Sequence, residues 1–384
     1  MMKVVYLIVI IVLSLPMMSC RNASADSEKM SINDGLDSLF SEIFDCDGPG
    51  GAVVVMHVDS MIYGRGFGLA RLDSVAPVTL NTMFNICSVS KQFSAVALLK
   101  LAEQGKLSLD DEVLKFFPAL PYDVFKDITL RHLLSHTSGI PDSRPRTAEQ
   151  WSKYLEKHKS RFDNVEDFKR FCEEDESLEY LTTLDSLNFA PGSAYEYMNP
   201  TFQMMLSIVE QASGENFDSW MRANVFEPAG MSRAVYYTPD VYIPDMAHGY
   251  ERSSDGRWEE SDYGEASFFG TKADGGLYTS PLEFVKWDKA LFSDRVISAQ
   301  SRKEAHTGRI DTDIPFTQYG YGWFVENRPG RPEKIYHTGD NGGFFIYEGH
   351  IPAKDVFYLI FATHPHWSRE RYAEKVDSIV LRSL

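Results

Sequence analysis

Cysteine is scarce in this sequence, with four residues among 384. Cys20 lies in the N-terminal leader, and Cys46, Cys87 and Cys172 remain as an odd number at scattered spacings. A disulfide-held domain would have a paired and more regular set. The fold must therefore depend on a hydrophobic core, which the 43% apolar composition is large enough to build.

Positive charge is also scarce. Lysine and arginine number 38 against 55 aspartate and glutamate residues, so the formal net charge is −17. A surface of this sign repels a phosphate backbone and has no general attraction to an anionic membrane surface. The composition argues against nucleic acid as a partner.

Long apolar runs are absent except at the N-terminus, where Lys3 precedes a nearly continuous apolar stretch over residues 4–15. This stretch is too short for a comfortable membrane span and is typical of a signal peptide. The sequence Leu-Pro-Met-Met-Ser-Cys that ends at Cys20 resembles a bacterial lipobox. The resemblance implies a signal peptide over residues 1–19, lipidation of Cys20, a tether over residues 20–32 and anchoring in the bacterial cell envelope. Secretion without a lipid, to the periplasm or beyond, is the alternative.

The sequence has no convincing metal cluster. His132 and His136 are spaced i, i+4, which can suit a metal ion, but no glutamate or cysteine accompanies them. His364 and His366 likewise have no further ligand nearby. We predict no metal and no cofactor, and a structural role for these histidines.

The most informative stretch is Ile86-Cys87-Ser88-Val89-Ser90-Lys91. An apolar repeat of helical spacing follows it as far as Gly105, so Ser88 is expected in the first turn of a helix. Residues i and i+3 share a helix face, which places the Lys91 amine within reach of the Ser88 hydroxyl. A lysine whose pKa is lowered can act as the base that a serine nucleophile needs. Alone, however, the pair fits a helix cap with a solvated lysine equally well.

Two further elements stand in the second half of the chain. In Tyr197-Met198-Asn199, the tyrosine and the asparagine flank one residue of an extended stretch, so both side chains can point the same way. His337-Thr338-Gly339 lies in a predicted strand. The order of elements predicts an α+β fold of two lobes, in which an antiparallel sheet is built from both chain ends. The predicted helices cover residues 31–44, 201–213, 281–292 and 368–384, and the predicted strands cover residues 52–58, 61–63, 319–325, 335–339, 344–351 and 356–363.

Together these elements resemble the serine β-lactamase and penicillin-binding-protein family, nearest the class C β-lactamases and the related esterases and D-amino-acid peptidases. The resemblance covers residues 33–384 and has its three motifs in the family's order: Ser88-x-x-Lys91, Tyr197-x-Asn199 and His337-x-Gly339. It implies the β-lactamase-like fold, with an antiparallel sheet flanked by helices and a mostly helical lobe. It also implies a small-molecule or peptide substrate.

The resemblance also implies roles for individual residues. Ser88 would attack an acyl carbon and form an acyl-enzyme, while Lys91 and Tyr197 would share the general base and acid work. Asn199 would orient Lys91 and bind a substrate amide. The amides of Ser88 and of Asp340, the residue after the motif glycine, would form the oxyanion hole.

Two positions depart from the family pattern. His337 stands where antibiotic-binding members often have lysine, and a mostly neutral imidazole offers less to a substrate carboxylate. Asp340 stands where a small residue is common, and its carboxylate would repel an oxyanion unless it turns away. An esterase or D-amino-acid peptidase-like hydrolase is therefore the leading interpretation. A β-lactamase or DD-carboxypeptidase is the first alternative, and a non-catalytic envelope binding or sensor domain is the second.

Overall fold

The structure is a computed structural model that describes residues 31–142, 178–179, 181–238, 241–261 and 271–384. The predicted signal peptide, Cys20, nearly all of the predicted tether and Cys172 lie outside the described residues. Within the described ranges, no helix has both the length and the apolar character required to cross a membrane.

The first helix begins at the end of the predicted tether. Its first residue is Ile32, and the Ser31 hydroxyl caps it by accepting a hydrogen bond from the Asp34 amide at 3.2 Å. The helices within the described ranges are α1 (Ile32–Phe40), α2 (Lys91–Glu103), α3 (Tyr122–Phe125), α4 (Leu130–Leu134), α5 (Asn199–Ser213), α6 (Phe217–Met221), α7 (Glu227–Ala229), α8 (Pro281–Phe292), α9 (Ala299–Ala305) and α10 (Arg369–Ser383). Short 3₁₀ turns occupy Cys87–Ser90, Val113–Lys115 and Pro352–Lys354, and a π-helical turn occupies Arg222–Phe226.

The strands comprise one large sheet and several small ones. Their bounds are β1 (Gly51–His57), β2 (Ser60–Phe67), β3 (Leu69–Arg71), β4 (Ala76–Pro77), β5 (Phe84–Asn85), β6 (Val235–Tyr236), β7 (Tyr250–Arg252), β8 (Trp258–Glu260), β9 (Leu277–Thr279), β10 (Ile310–Asp311), β11 (Thr317–Tyr319), β12 (Phe324–Glu326), β13 (Lys334–Asn341), β14 (Phe344–Ile351) and β15 (Val356–Ala362). The large sheet is antiparallel, with strand order β10-β11-β12-β13-β14-β15-β1-β2.

Strand β1 shows why the two chain ends form one sheet. It pairs with β15 in a register that sets Val53 opposite Ile360, so the N-terminal hairpin extends the C-terminal strands. Side chains of a strand alternate between faces. Val54 accordingly joins the core on the α2 side, while Val53 and Val55 join the core on the side of α1 and α10. Burial on both faces makes β1 a continuous apolar run, and the predicted α+β fold is confirmed.

One predicted strand is wrong. Residues 319–325 were expected to form a single strand, but they contain the end of β11, a turn and the start of β12. The turn requires glycine, because Gly322 has φ +84° and a Cβ there would lie 3.1 Å from the Lys91 carbonyl oxygen. Aromatic residues are common in strands and flank the turn on both sides, so the stretch resembles one continuous strand in composition. The hairpin brings Tyr319 towards α2.

Helix α2 is the central element of the helical lobe. Most of its side chains are buried all round, which is typical of a helix that runs through a core. Phe93 stacks on Trp287 of α8 with ring centroids 4.1 Å apart. A helix packed in this way holds its N-terminal end, where Lys91 lies, at a fixed place beside the sheet.

Candidate active site

Ser88 lies in the 3₁₀ turn Cys87–Ser90, directly before α2. The sequence predicted the first turn of a helix here, and the tighter turn keeps the expected geometry because residues i and i+3 nearly eclipse in a 3₁₀ turn. The Lys91 ammonium nitrogen is 3.1 Å from the Ser88 hydroxyl oxygen. The structure therefore brings the two residues of the Ser-x-x-Lys motif into direct hydrogen-bond contact.

The Lys91 side chain is completely buried and is surrounded by oxygen acceptors. Besides Ser88, it donates to the Asn199 side-chain oxygen at 2.8 Å and to the Asp274 backbone oxygen at 2.8 Å. An ammonium group has three hydrogens, so these three acceptors match its capacity. Lys91 is not the solvated lysine of a simple helix cap, and its nitrogen is fixed against the Ser88 oxygen.

Tyr197 and Asn199 converge on Lys91 from a second segment. Met198 between them has extended backbone, with φ −133° and ψ 122°, and α5 begins at Asn199. In such a stretch, side chains two residues apart can share a side. Asn199 contacts the ammonium directly, and the Lys91 nitrogen lies 5.0 Å from the centre of the Tyr197 ring. The second motif is thus assembled with the first.

His337 is buried on β13 and is held by two hydrogen bonds. Its Nδ1 donates to the Thr338 carbonyl oxygen at 2.7 Å, which leaves Nε2 to accept from the Tyr319 hydroxyl at 3.0 Å. Burial, and then the nearby charge of Lys91, lower the pKa of His337 to about 3. The imidazole is therefore neutral at physiological pH, as the sequence predicted, and it has a fixed orientation.

The strand that carries His337 reaches the Ser88 turn through Gly339. A Cβ at Gly339 would lie 2.5 Å from the Ile86 carbonyl oxygen and 2.9 Å from the Cys87 Cβ, so only glycine allows this approach. Strand β12 pairs with β13 only from Lys334 to Tyr336, and the rest of β13 borders the Ser88 turn on that side. This arrangement is compatible with the predicted oxyanion hole between the amides of Ser88 and Asp340.

The Asp340 side chain belongs to the other face of the strand. Side chains alternate along β13, so Asp340 lies opposite to Gly339, on the α10 side of the sheet, and is exposed. Arg369, the first residue of α10, donates to the Gly339 carbonyl oxygen at 2.9 Å and stacks over the Phe345 ring at 3.8 Å. Phe345 is the cross-strand partner of Asp340. The Asp340 carboxylate thus shares its face of the sheet with a guanidinium and turns away from Ser88.

Cys87 is the residue that precedes Ser88, and it is buried. Its amide donates to the Asn85 side-chain oxygen at 2.8 Å, and its backbone has φ +51°. Burial, together with the charge of Asp340, raises the pKa of the thiol well above its usual range. A thiol that stays protonated is a poor nucleophile, so Cys87 fits a packing role.

The two histidines of the 132–136 segment have separate partners. His132 Nδ1 accepts a hydrogen bond from the Thr129 amide at 3.1 Å and completes a capping box at the start of α4. His136 Nδ1 accepts from the Met198 amide at 3.2 Å. In the described part of the chain, no group of three or more histidine, cysteine, aspartate or glutamate residues is placed to hold a metal ion.

Sequence reasoning missed three contributors to the site. The Asp274 carbonyl oxygen accepts a hydrogen bond from Lys91. The two glycines that follow Asp274 were the available signal of a loop whose backbone could come close to another segment. Tyr319 binds His337, and the glycines that follow it were the available signal of a turn, although the stretch was predicted as one strand. Arg369 reaches Gly339 from the last helix, and nothing in its local sequence indicates that contact.

The chain is similar to known proteins along most of its length. The sequence model of the family described as Beta-lactamase matches residues 36–381. Penicillin-binding protein 4* of Bacillus subtilis is 26% identical over 321 residues, which are 80% of this chain and 67% of that protein. The D-alanyl-D-alanine-carboxypeptidase/endopeptidase AmpH of Escherichia coli is 26% identical over 371 residues, with 91% and 89% of the two chains covered.

Solved structures show the same fold. The D-amino acid amidase from Ochrobactrum anthropi, in complex with D-phenylalanine, superposes with a TM-score of 0.75 at 20% sequence identity. The match covers 92% of this chain and 99% of the amidase. At this level of identity the likeness establishes the fold.

Proposed function

The chain belongs to the beta-lactamase family, and from this premise we propose that it is a serine hydrolase that acts through an acyl-enzyme on an ester or an amide. The observation that carries the proposal is the buried Lys91 nitrogen, held 3.1 Å from the Ser88 hydroxyl oxygen by Asn199 and the Asp274 carbonyl. Burial of an ammonium group is unfavourable. Here the buried nitrogen lies beside Ser88, which is partly exposed to solvent.

The proposed reaction has two halves. In the first, Lys91 reacts in its neutral form, which keeps two hydrogens for the Asn199 and Asp274 oxygens and lacks the third, so that its lone pair faces the Ser88 hydroxyl. Lys91 then accepts the Ser88 proton while the serine oxygen attacks the acyl carbon, and the amides of Ser88 and Asp340 donate to the developing oxyanion. The leaving group departs with a proton delivered from Lys91 or Tyr197. In the second half, water loses a proton to the same pair and attacks the acyl carbon, which releases the acid and restores the Ser88 hydroxyl.

The substrate class follows from the charges around this pair. His337 is neutral, and the guanidinium of Arg369 is engaged with the Gly339 carbonyl. On the Ser88 side of β13, His337 therefore offers no fixed charge, and the guanidinium charge of Arg369 lies with Asp340 on the opposite face of the strand. We infer that the enzyme acts on uncharged esters, or on amides of D-amino-acid-like compounds, in preference to substrates with a carboxylate beside the scissile bond. The name of one structural neighbour, a D-amino acid amidase, supports this chemical range, whereas the D-alanyl-D-alanine-carboxypeptidase/endopeptidase supports the DD-carboxypeptidase alternative.

The direct test is a parallel screen of purified protein against p-nitrophenyl esters, D-amino acid amides, a cephalosporin and D-alanyl-D-alanine peptides. The proposal expects the highest kcat/KM for the neutral esters or the amides. Preference for the cephalosporin or for the peptides would favour the β-lactamase or DD-carboxypeptidase alternative. Absence of turnover and of covalent labelling in folded protein would favour the binding or sensor domain.

Exchange of His337 for lysine should change the substrate preference. A charge about 4 Å from a carboxylate contributes about 4 kcal/mol at an effective dielectric constant near 20, before desolvation and ordering costs are subtracted. We expect His337→Lys to raise the ratio of cephalosporin to p-nitrophenyl ester kcat/KM by about tenfold to a hundredfold, which corresponds to about 1.4–2.8 kcal/mol.

The matched control for this exchange is His337→Asn, which removes the imidazole without adding charge and should leave the ratio within about threefold of wild type, or about 0.7 kcal/mol. An equal shift in both variants would mean that the preference depends on the loss of the Tyr319 contact. A wild-type enzyme that already prefers cephalosporins would refute the assignment of His337 as the determinant.

We further propose that the protein is anchored in the bacterial envelope through a lipid at Cys20. Several acyl chains hold a protein firmly in a bilayer, whereas one does so only marginally. Cys20→Ser should therefore move the protein from the detergent phase to the aqueous phase of a phase separation without a change in kcat/KM. Ser19→Ala, which keeps a small residue before the cysteine, is the control and should stay in the detergent phase. Wild-type protein found wholly in the aqueous phase would contradict the anchor.

A further inference from the structure

His136 lies just beyond α4 and has no role in the reaction proposed above. Its side chain is buried, and its backbone has φ +55°, a left-handed conformation that is unfavourable for a residue with a Cβ. Such local strain persists only where the surroundings enforce it, and it is often found at functional sites. The contacts of His136 identify the surroundings that hold this left-handed conformation.

His136 binds the chain on both sides of Tyr197. The His136 carbonyl oxygen accepts a hydrogen bond from the Glu196 amide at 3.0 Å, and the His136 Nδ1 accepts one from the Met198 amide at 3.2 Å. Both sequence neighbours of Tyr197 are therefore hydrogen-bonded to His136. The left-handed backbone of His136 is compatible with this double attachment, in which main chain and side chain reach the same segment.

The imidazole also sets the surroundings of the Tyr197 ring. The two ring centroids are 4.3 Å apart with an interplanar angle of 38°, and the Phe202 ring lies 5.0 Å from the imidazole. The Lys91 nitrogen is 5.0 Å from the Tyr197 ring centre and 5.7 Å from the Phe202 ring centre. The three rings thus form a wall beside the ammonium, and His136 is the member that is bonded to the backbone of Tyr197's neighbours.

Only a neutral imidazole can make these contacts. An Nδ1 that accepts from the Met198 amide carries no hydrogen, so the hydrogen is on Nε2. Burial, and then the charge of Lys91, hold the pKa of His136 well below its usual value. Nε2 is buried and has no hydrogen-bond partner among the described residues. A buried donor without an acceptor is destabilising, so the arrangement is not one that maximises stability.

We propose that His136 is a positioning residue that holds Tyr197 at its place beside Lys91 and Ser88. This inference rests on the proposed function, because it assigns His136 a purpose in the acid and base work of Tyr197. A group that is misplaced by about 1 Å can lower the rate by about 10²-fold. Loss of the imidazole should therefore reduce kcat while the binding of substrate stays nearly unchanged.

The test compares His136→Gly with His136→Asn. Glycine keeps the left-handed backbone and the carbonyl contact but removes the imidazole, and we expect kcat for p-nitrophenyl acetate to fall by about 30-fold to 100-fold with KM within about twofold. Asparagine tolerates left-handed backbone, and its side-chain oxygen can accept from the Met198 amide in place of Nδ1. His136→Asn should therefore recover at least about a third of the wild-type kcat, within about 0.7 kcal/mol.

His132→Asn is the matched control, because His132 also accepts a backbone hydrogen bond through Nδ1 but caps α4 instead. It should change the thermal midpoint and leave kcat within about twofold, or about 0.4 kcal/mol. Addition of imidazole to His136→Gly gives a second readout, and a partial recovery of kcat would support positioning by the ring.

Two results would overturn the inference. One is a folded His136→Gly with wild-type kcat. The other is a loss of kcat in His136→Asn as large as in His136→Gly, which would show that the exchange acts on general stability. A wild-type protein that hydrolyses neither esters nor amides would instead overturn the proposed function, and the inference with it.

Discussion

Ser88→Ala is expected to abolish the turnover of every ester and amide that the wild-type protein hydrolyses, by a factor of about 10⁴ or more. The reason is that no other described side chain occupies the place of the Ser88 oxygen, 3.1 Å from the Lys91 nitrogen. The fold should survive, since replacement of a serine by alanine at a helix start costs only about 1 kcal/mol. Steady-state kinetics together with circular dichroism would measure both effects.

Two neighbouring exchanges control this experiment. Ser90→Ala removes a hydroxyl from the same turn, where it accepts a hydrogen bond from the Leu277 amide at 3.3 Å, and should retain most of the activity. Cys87→Ala should also retain activity, because the raised thiol pKa makes Cys87 a poor nucleophile. Full turnover in folded Ser88→Ala would refute the nucleophile assignment. Loss of turnover in folded Cys87→Ala would indicate a thiol mechanism.

Lys91→Met is expected to lower kcat by about 10²-fold to 10⁴-fold, the range in which a positioned general base contributes. Methionine has a similar volume and is apolar, so it can fill the buried space but cannot accept the Ser88 proton. The exchange leaves the Asn199 and Asp274 oxygens without their ammonium partner. The measurement is kcat and KM for a neutral ester, with the thermal midpoint recorded for each protein.

Lys100→Met is the matched control on the same helix. Lys100 donates to the Val296 carbonyl oxygen at 2.7 Å and is half-buried, far along α2 from Ser88. It should lower the thermal midpoint without a change in kcat beyond about twofold, or about 0.4 kcal/mol. If Lys91→Met keeps kcat within tenfold of wild type, about 1.4 kcal/mol, Lys91 is not the principal base.

Local spacing in the sequence was enough to predict the first motif. Ser88 and Lys91 are three residues apart, and any tight right-handed turn brings such residues together. The extended backbone around Met198 explains why the relation of Tyr197 to Asn199 was also predictable. The sheet from both chain ends was predicted from the apolar runs of β1, β14 and β15, and the structure shows that these strands pair in the order β14-β15-β1.

Other features depend on contacts between distant segments, and the sequence does not contain them locally. The Asp274 carbonyl approaches Lys91 across 183 positions, and a backbone acceptor has no side-chain signature. His136 had only its spacing from His132 as a signal; that spacing can suit a metal ion, and a structural role was predicted. The break within residues 319–325 depends on the close approach of Gly322 to the backbone of Lys91. Residue preferences for strand or turn do not encode such a contact.

The central claim is that Ser88 is the nucleophile of an acyl-enzyme mechanism. The most direct measurement is peptide mass spectrometry of the full protein after reaction with an active-site-directed phosphonate, with Ser88→Ala treated in parallel. A single adduct on Ser88, formed at a rate that falls in Lys91→Met and absent from Ser88→Ala, is the predicted result. An adduct on Cys87 or on another serine, or unmodified Ser88 in protein whose hydrolysis the phosphonate has blocked, would contradict the claim.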